Sequence, residues 1–273
     1  MKIRIDDENS KINLSVLANE VVDRTPYYSV TQRFFLNMGT SMDIADALID
    51  WVDIDDTRFP YGAESPDYYT TLPRPYRAKN MEMDSVQEML LVKGITPELY
   101  YGLEPVRTQE GALVEDNRGT STIDTSRLLE EYTRGGEVAL EPADTRDERR
   151  SIGKERSRAF KDYFRVHGER SDYLNNLNKI NINTAPYRVL SALSDGMTDD
   201  IVAEIIRRRQ EQPFASVDAA SDLITDEPTR KNLCTVRSSL FRVEAVGRIR
   251  NTVSTIVAVY NRDNKKFYYF AEQ

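Results

Sequence analysis

The stretch NKININTAPYRVLSAL, Asn178 to Leu193, has a counterpart near the start of the chain in NSKINLSVL, Asn9 to Leu17. Both read Lys-Ile-Asn, then an apolar residue, then a small polar one, then a helix-like run. The segments that follow also correspond. MDIADALIDW, Met42 to Trp51, stands against TDDIVAEIIRR, Thr198 to Arg208, and MDSVQEMLLVKGIT, Met83 to Thr96, against FASVDAASDLIT, Phe214 to Thr225. Asp43 thereby aligns with Asp200, and Ser85-Val86 with Ser216-Val217. Two copies of one small helical unit in tandem are the reading, each too small to bury its faces alone. From Asp43 to Ser85 is 42 positions and from Asp200 to Ser216 only 16, so the first copy carries an extra stretch around DIDDTRFPYGAESPDYY, Asp53 to Tyr69.

Around this repeat the ends of the chain change period. KIRID, from Lys2, alternates like a strand before the DDENS turn, and residues 2–14 read as one strand closed by that turn. At the other end FRVEAVG, TVSTIVAVYN and FYYFAE alternate with β-branched and aromatic residues and predict a two- or three-strand antiparallel sheet. Between them, helices are expected over about 14–38, from Thr40 or Ser41 as cap to about Asp55, as two short pieces around Gly94 capped by Asp84 or Ser85, and after Thr184, Thr198 or Asp199, and Ser216. Residues 107–158 are polar, charged and weakly periodic, and read as a long surface insertion.

Composition limits the chemistry. The 273 residues are 40% hydrophobic and 30% charged, with net charge −8, which suits a folded chain of one to two domains. One cysteine, Cys234, excludes an intramolecular disulfide, and one histidine, His167, excludes a multi-histidine metal site. No apolar run approaches the ~18 residues of a membrane helix, and a strand starting at the second residue suggests a fragment cut from a longer N-terminal part.

The extra stretch of the first copy is dense in carboxylates: Asp50, Asp53, Asp55, Asp56, Glu64 and Asp67. Hard oxygen donors along an irregular loop suit calcium, which takes six to eight of them; a solvated acidic loop is the competing reading. The second copy is similar to the helix-hairpin-helix modules of competence-type DNA receptors, in which a hairpin offers N–H groups to phosphate. Here the hairpin is SDGMTDD, and Asp195, Asp199 and Asp200 would repel a phosphate, while Arg207, Arg208 and Arg209 sit at the far end of the helix. His167 has no nucleophile-elbow serine to serve and Cys234 no recognisable partner, so catalysis finds little support.

IRIDDENSKINLSVL, LIDWVDIDD with YGAESPDYY, RPYRAKNMEMDSVQEMLLVKGITPELYYGL, KININTAPYRVLSAL and LFRVEAVG occur together and in order. This combination resembles the type II secretion system protein K (GspK) family, the large minor pseudopilins, over most of 2–103 and 160–273. The resemblance implies an α+β fold: a pilin-like antiparallel sheet with a large inserted all-helical domain built from two tandem SAM-like or helix-hairpin-helix-like units. Its expected parts are 1–14 and 237–273 for the sheet, 15–106 for the first helical unit with its acidic metal loop and 159–236 for the second, while the polar insertion over 107–158 has no recognised counterpart in the family. It implies a non-enzymatic subunit at the pseudopilus tip that helps start assembly with the minor pseudopilins I and J. Family members are periplasmic and anchored in the inner membrane by an N-terminal apolar helix, absent here. The resemblance also implies structural calcium in the inserted domain, with Asp53, Asp55, Glu64 and Asp67 as first candidate ligands and Asp50 and Asp56 behind them.

Overall fold

The computed structural model describes residues 1–18, 26–103, 159–168, 175–249 and 252–272. The polar stretch expected as an insertion over 107–158 lies outside them. Four strands form an antiparallel sheet in the order β1–β6–β7–β8, with β1 Lys2–Asp7, β6 Leu240–Ile249, β7 Thr252–Asn261 and β8 Lys266–Glu272. The first strand therefore joins the three C-terminal ones across the whole length of the chain. Directly paired residues share a face. Ile5, Val243, Ala258 and Phe270 form one row across all four strands, and Ile3, Ala245 and Ile256 the next. Arg242, Val259 and Tyr269 form a row on the opposite face. There Val257 and Val259 are buried, and Tyr269 lies against the ring of His167.

The repeat is visible in the backbone. In the first copy β2, Ile12–Asn13, pairs in parallel with β3, Phe164–Arg165; in the second β4, Ile180–Asn181, pairs in parallel with β5, Cys234–Thr235. Each KIN motif thus closes its unit by binding the returning chain. The asparagine of each makes the same turn: Ser15 N–H donates to Asn13 Oδ1 and Asn183 N–H to Asn181 Oδ1, at 3.1 and 3.0 Å. The helices follow in matching order. α1 Pro26–Asn37 and α2 Asp43–Val52 belong to the first copy, α4 Tyr187–Ser191 and α5 Asp199–Glu211 to the second. Short 3-10 helices follow at Val86–Leu91 and Val217–Ala220, and α3, Pro97–Tyr101, ends the first copy. Thr198 and Ser216 accept from Ile201 and Ala219 N–H as expected of N-caps.

Three expected boundaries move. The N-terminal strand stops at Asp7 rather than running to 14, because the Asp7 side chain caps a 3-10 turn through Asn9 N–H and turns Ile12 towards β3. Residues 159–168, expected to open the second unit, pair and pack with the first: Phe160 and Phe164 lie against Phe34 and Phe35, with ring centroids 4.9–6.1 Å apart. Neither Thr40 nor Ser41 stands at the N-cap of α2, which is Met42 without a side-chain cap bond; Ser41 Oγ accepts from Asp43 N–H one position earlier.

Buried asparagines join sheet and repeat. Asn9, with no exposed surface, donates through Nδ2 to Leu177 O and Lys179 O and accepts at Oδ1 from Ser239 and Leu240 N–H, all at 3.1 Å. One amide so satisfies four backbone groups from two distant segments, which a buried junction requires. Asn13 Nδ2 donates to Asn178 Oδ1 at 2.8 Å, and Gly168 passes so close that a Cβ there would stand 2.1 Å from Asn13 Nδ2.

Candidate metal centre

The site is built on the last turns of α2. Asp46, Asp50 and Asp53 follow at i, i+4 and i+7 and so lie on one face of the helix. The apolar residues of α2 are all buried, from Ile44 to Val52, and this face is buried with them, under the extra stretch. Asp46 is satisfied there, accepting from Tyr28 Oη at 2.6 Å and Tyr61 N–H at 3.2 Å. Asp50 is not. Its Oδ1 accepts from Phe59 N–H at 3.0 Å, but its Oδ2 is buried with no hydrogen bond.

The turn that covers Asp50 brings a third carboxylate. Gly62 passes against it so tightly that a Cβ would stand 1.9 Å from Asp50 Oδ2, so the position requires glycine. Lys93 Nζ holds the Tyr61 and Gly62 carbonyls at 3.3 and 3.0 Å, and Ser65 Oγ accepts from Ala78 N–H at 2.8 Å. Between these anchors Glu64 points inward, 1% exposed. One oxygen from each of Asp50, Asp53 and Glu64 lies within 4.8 Å of the others. Asp50 Oδ2, Asp53 Oδ1 and Glu64 Oε1 are all buried without a hydrogen-bond partner.

Three ionised carboxylates cannot rest together in this way without a counter-charge. Their proton affinities record the cost. Burial, opposed by N–H groups at Phe59 and Ala63 and reinforced by the Asp46 and Asp67 charges, raises Asp50 to about 6. Burial, then the charges of Asp55 and Asp50, raises Asp53 to about 7. Burial, then Asp50 and Asp53, raises Glu64 to about 8. Hard, anionic and unpaired oxygens aimed at one point fit a divalent cation, and an all-oxygen set on an irregular loop suits calcium better than the octahedral demands of magnesium.

The other acidic candidates stand apart from this cluster. Asp55 Oδ1 accepts from Thr57 N–H at 2.6 Å. Asp56 Oδ1 accepts from Asn80 Nδ2 at 3.3 Å. Asp67 Oδ1 accepts from Glu64 N–H at 3.1 Å and its Oδ2 pairs with Arg58 at 3.0 Å. Asp67 thus orients the turn that carries Glu64. Gly62 and Lys93, which shape the turn, leave no signal in the charge pattern, because their role depends on where a distant backbone passes.

The arginines that a nucleic-acid reading would use are engaged within the protein. Arg207 pairs with Glu204 and Glu211, Arg208 with Glu204 and Asp222, and Arg209 Nη1 donates to Ile182 O and Ala185 O. Asp195 projects from the hairpin, 92% exposed, towards Arg33. His167 is half-buried and its pKa is lowered, chiefly by burial.

Two family models, both described as type II secretion system protein K, match residues 10–108 and residues 180–227. They fall in order on the two copies of the repeat and together span just over half of the chain. The chain belongs to the type II secretion system protein K family. This chain shares its fold with a chain in the crystal structure of the GspK-GspI-GspJ complex from the enterotoxigenic Escherichia coli Type 2 Secretion System. The TM-score is 0.62 over 99% of this chain and 79% of that one, at 16% identity. No curated protein matches it significantly in sequence. Among its described residues no helix is long and apolar enough to cross a membrane.

Proposed function

We propose that this chain is a non-enzymatic minor pseudopilin that acts at the pseudopilus tip and helps start assembly with the minor pseudopilins I and J. The observation that carries this reading is the order of the two family models along a chain whose α+β fold follows that of a chain in a K–I–J complex. In this reading the protein works in the periplasm, associated with the inner membrane. The helical units, bulky beside a four-stranded sheet, suit an end of a filament better than its wall. Calcium at Asp50, Asp53 and Glu64 has a structural part in this reading: it fixes the extra stretch of the first copy to α2.

The test is genetic and biochemical together. The gene that carries this sequence is deleted from its own type II secretion strain and restored on a plasmid, and secretion of a reporter is followed with co-purification of I and J. Restored secretion with a recoverable K–I–J complex is expected. A stable, exported protein that neither binds I and J nor restores secretion would overturn the assignment of role, though not of family. The nucleic-acid reading predicts instead a salt-dependent DNA affinity, which the engaged arginines of α5 argue against.

A further inference from the structure

A cavity of about 420 Å³ opens between the two copies of the repeat and takes none of its lining from the acidic stretch or the sheet. One wall is α1, where Pro26, Ser29 and Arg33 follow at i, i+3 and i+7 and share a face. The other wall belongs to the second copy: the hairpin from Leu193 to Met197 and the turn from Leu223 to Thr229. We infer that this cavity is a docking site for a long basic side chain, arginine or lysine, presented by a partner protein.

The lining divides by depth. Leu193, Met197 and Ile224 are buried and give an apolar floor, while Asp195 and Asp226 are exposed and stand at the mouth. An aliphatic stem with a charged head matches that division. The charges around the mouth select the sign of the head. Arg33 is engaged within the protein, its Nε donating to Ala192 O at 2.8 Å and its Nη2 to Leu193 O at 2.9 Å. Arg230 beside the turn is held in the same way, by Ile224 O at 2.7 Å and Asp218 at 3.3 Å. Asp195, by contrast, is 92% exposed and meets Arg33 Nη1 only at 3.5 Å, the far limit of a hydrogen bond. Asp226 Oδ2 accepts from Thr229 N–H at 2.9 Å, which anchors the second carboxylate at the rim. Two carboxylates against one engaged guanidinium leave the mouth negative, in a chain of net charge −8, and draw a cationic group to it. An anion would have to displace Asp195 and then face Asp226. A free polyamine carries charge at both ends, and one end would lie on the apolar floor. The volume is at the low end of the ~300–1,000 Å³ of ligand pockets, room for one long side chain and its flanking backbone rather than for a helix.

The test is nitrogen-15 NMR of the whole chain in calcium. It is titrated with acetylated, amidated alanine pentapeptides that carry arginine, its uncharged isostere citrulline, or glutamate at the centre, and separately with spermidine. The arginine peptide should shift the amides of Leu193 to Met197 and of Leu223 to Thr229 saturably. The citrulline and glutamate peptides should bind at least tenfold more weakly, the size of a lost hydrogen bond between charged groups. Asp195→Asn, at an exposed position, should keep the folded spectrum and weaken the arginine peptide at least fivefold; Asp195→Asn/Asp226→Asn should remove the shifts. If the arginine and citrulline peptides bind alike, or Asp195→Asn binds the arginine peptide as the parent does, the rim charge has no part and the inference is wrong. If the glutamate peptide binds better, Arg33 is the anchor and the site takes anions instead. If spermidine binds more tightly than the arginine peptide, the occupant is a free polyamine and not a partner's side chain. No saturable shift at these amides with any of the four overturns the site altogether.

Discussion

Asp46 and Asp50 lie one turn apart on α2, both buried, yet only Asp46 has both oxygens hydrogen-bonded. That difference has a consequence in pH. In the metal-free protein Asp50, Asp53 and Glu64 titrate near 6, 7 and 8, against ordinary values of 3.8, 3.8 and 4.5. Their folded pKa values are raised, so between about pH 4 and 8 the folded state binds more protons than the unfolded one, and stability falls as pH rises. These groups' contribution is fully present below their unfolded pKa values and is lost as pH climbs through 6, 7 and 8. In EDTA the Tm is expected to fall between pH 5 and 8.5. With calcium the dependence turns round, because the ion competes with those protons, and the calcium-induced rise in Tm grows over the same range. Thermal melts across pH, with and without EDTA, test this. The triple variant Asp50→Asn/Asp53→Asn/Glu64→Gln should lose the slope in EDTA and the calcium response together; a slope that survives the triple substitution would place its origin elsewhere.

At the scale of elements, one apolar core runs through both copies, and buried asparagines answer the backbone groups beside it. Asn9 serves two carbonyls and two N–H groups at a junction closed to water. Asn9→Ala leaves all four short of a partner and is expected to cost ~3 kcal/mol or more, at the upper end for a single substitution. Urea unfolding followed by circular dichroism would show this as a lower midpoint with an unchanged slope; a loss under ~1 kcal/mol would mean that water or neighbouring groups replace the amide. Much of this layer could be read from sequence. The KIN motif, the Ser216 and Thr198 caps and the alternation of the C-terminal strands are local patterns, and local patterns survive into structure. What could not be read was which segments meet. Phe160 and Phe164 look alike whether they face the first unit or the second, and only the parallel pairing of Ile12 with Phe164 decides it. The acidic stretch shows the same limit. Asp50 and Asp53 share a helix face by spacing alone, but Glu64 joins them through a turn whose course depends on Gly62, Lys93 and Ser65. Asp55, Asp56 and Asp67, equally acidic in sequence, are turned to N–H groups or to Arg58.

For the molecule as an assembly subunit, the sheet matters more than the site. One face buries Val257 and Val259 on the side of His167. The other leaves Ile3 56%, Ile5 64%, Phe267 61% and Phe270 61% exposed. These positions sit on the two edge strands of the sheet, and the half-buried Val243 and buried Ala258 lie in the row between Ile5 and Phe270. A contiguous apolar face of this kind on an extracytoplasmic subunit marks a contact surface rather than a stable boundary with water. In the pseudopilin reading it is the surface by which the chain meets its assembly partners. The double variant Ile5→Asp/Phe270→Asp places a charge at each end of one row. Because both side chains are already mostly in solvent, the isolated protein should melt within a few degrees of the parent, while co-purification with I and J falls at least tenfold. Leu36→Asp, on α1 and 56% exposed, controls for added negative charge and should leave the complex intact. If the double variant still assembles, the partners meet the chain elsewhere, and the helical units become the next surface to test. If Leu36→Asp abolishes the complex as well, added charge rather than the sheet face explains the loss.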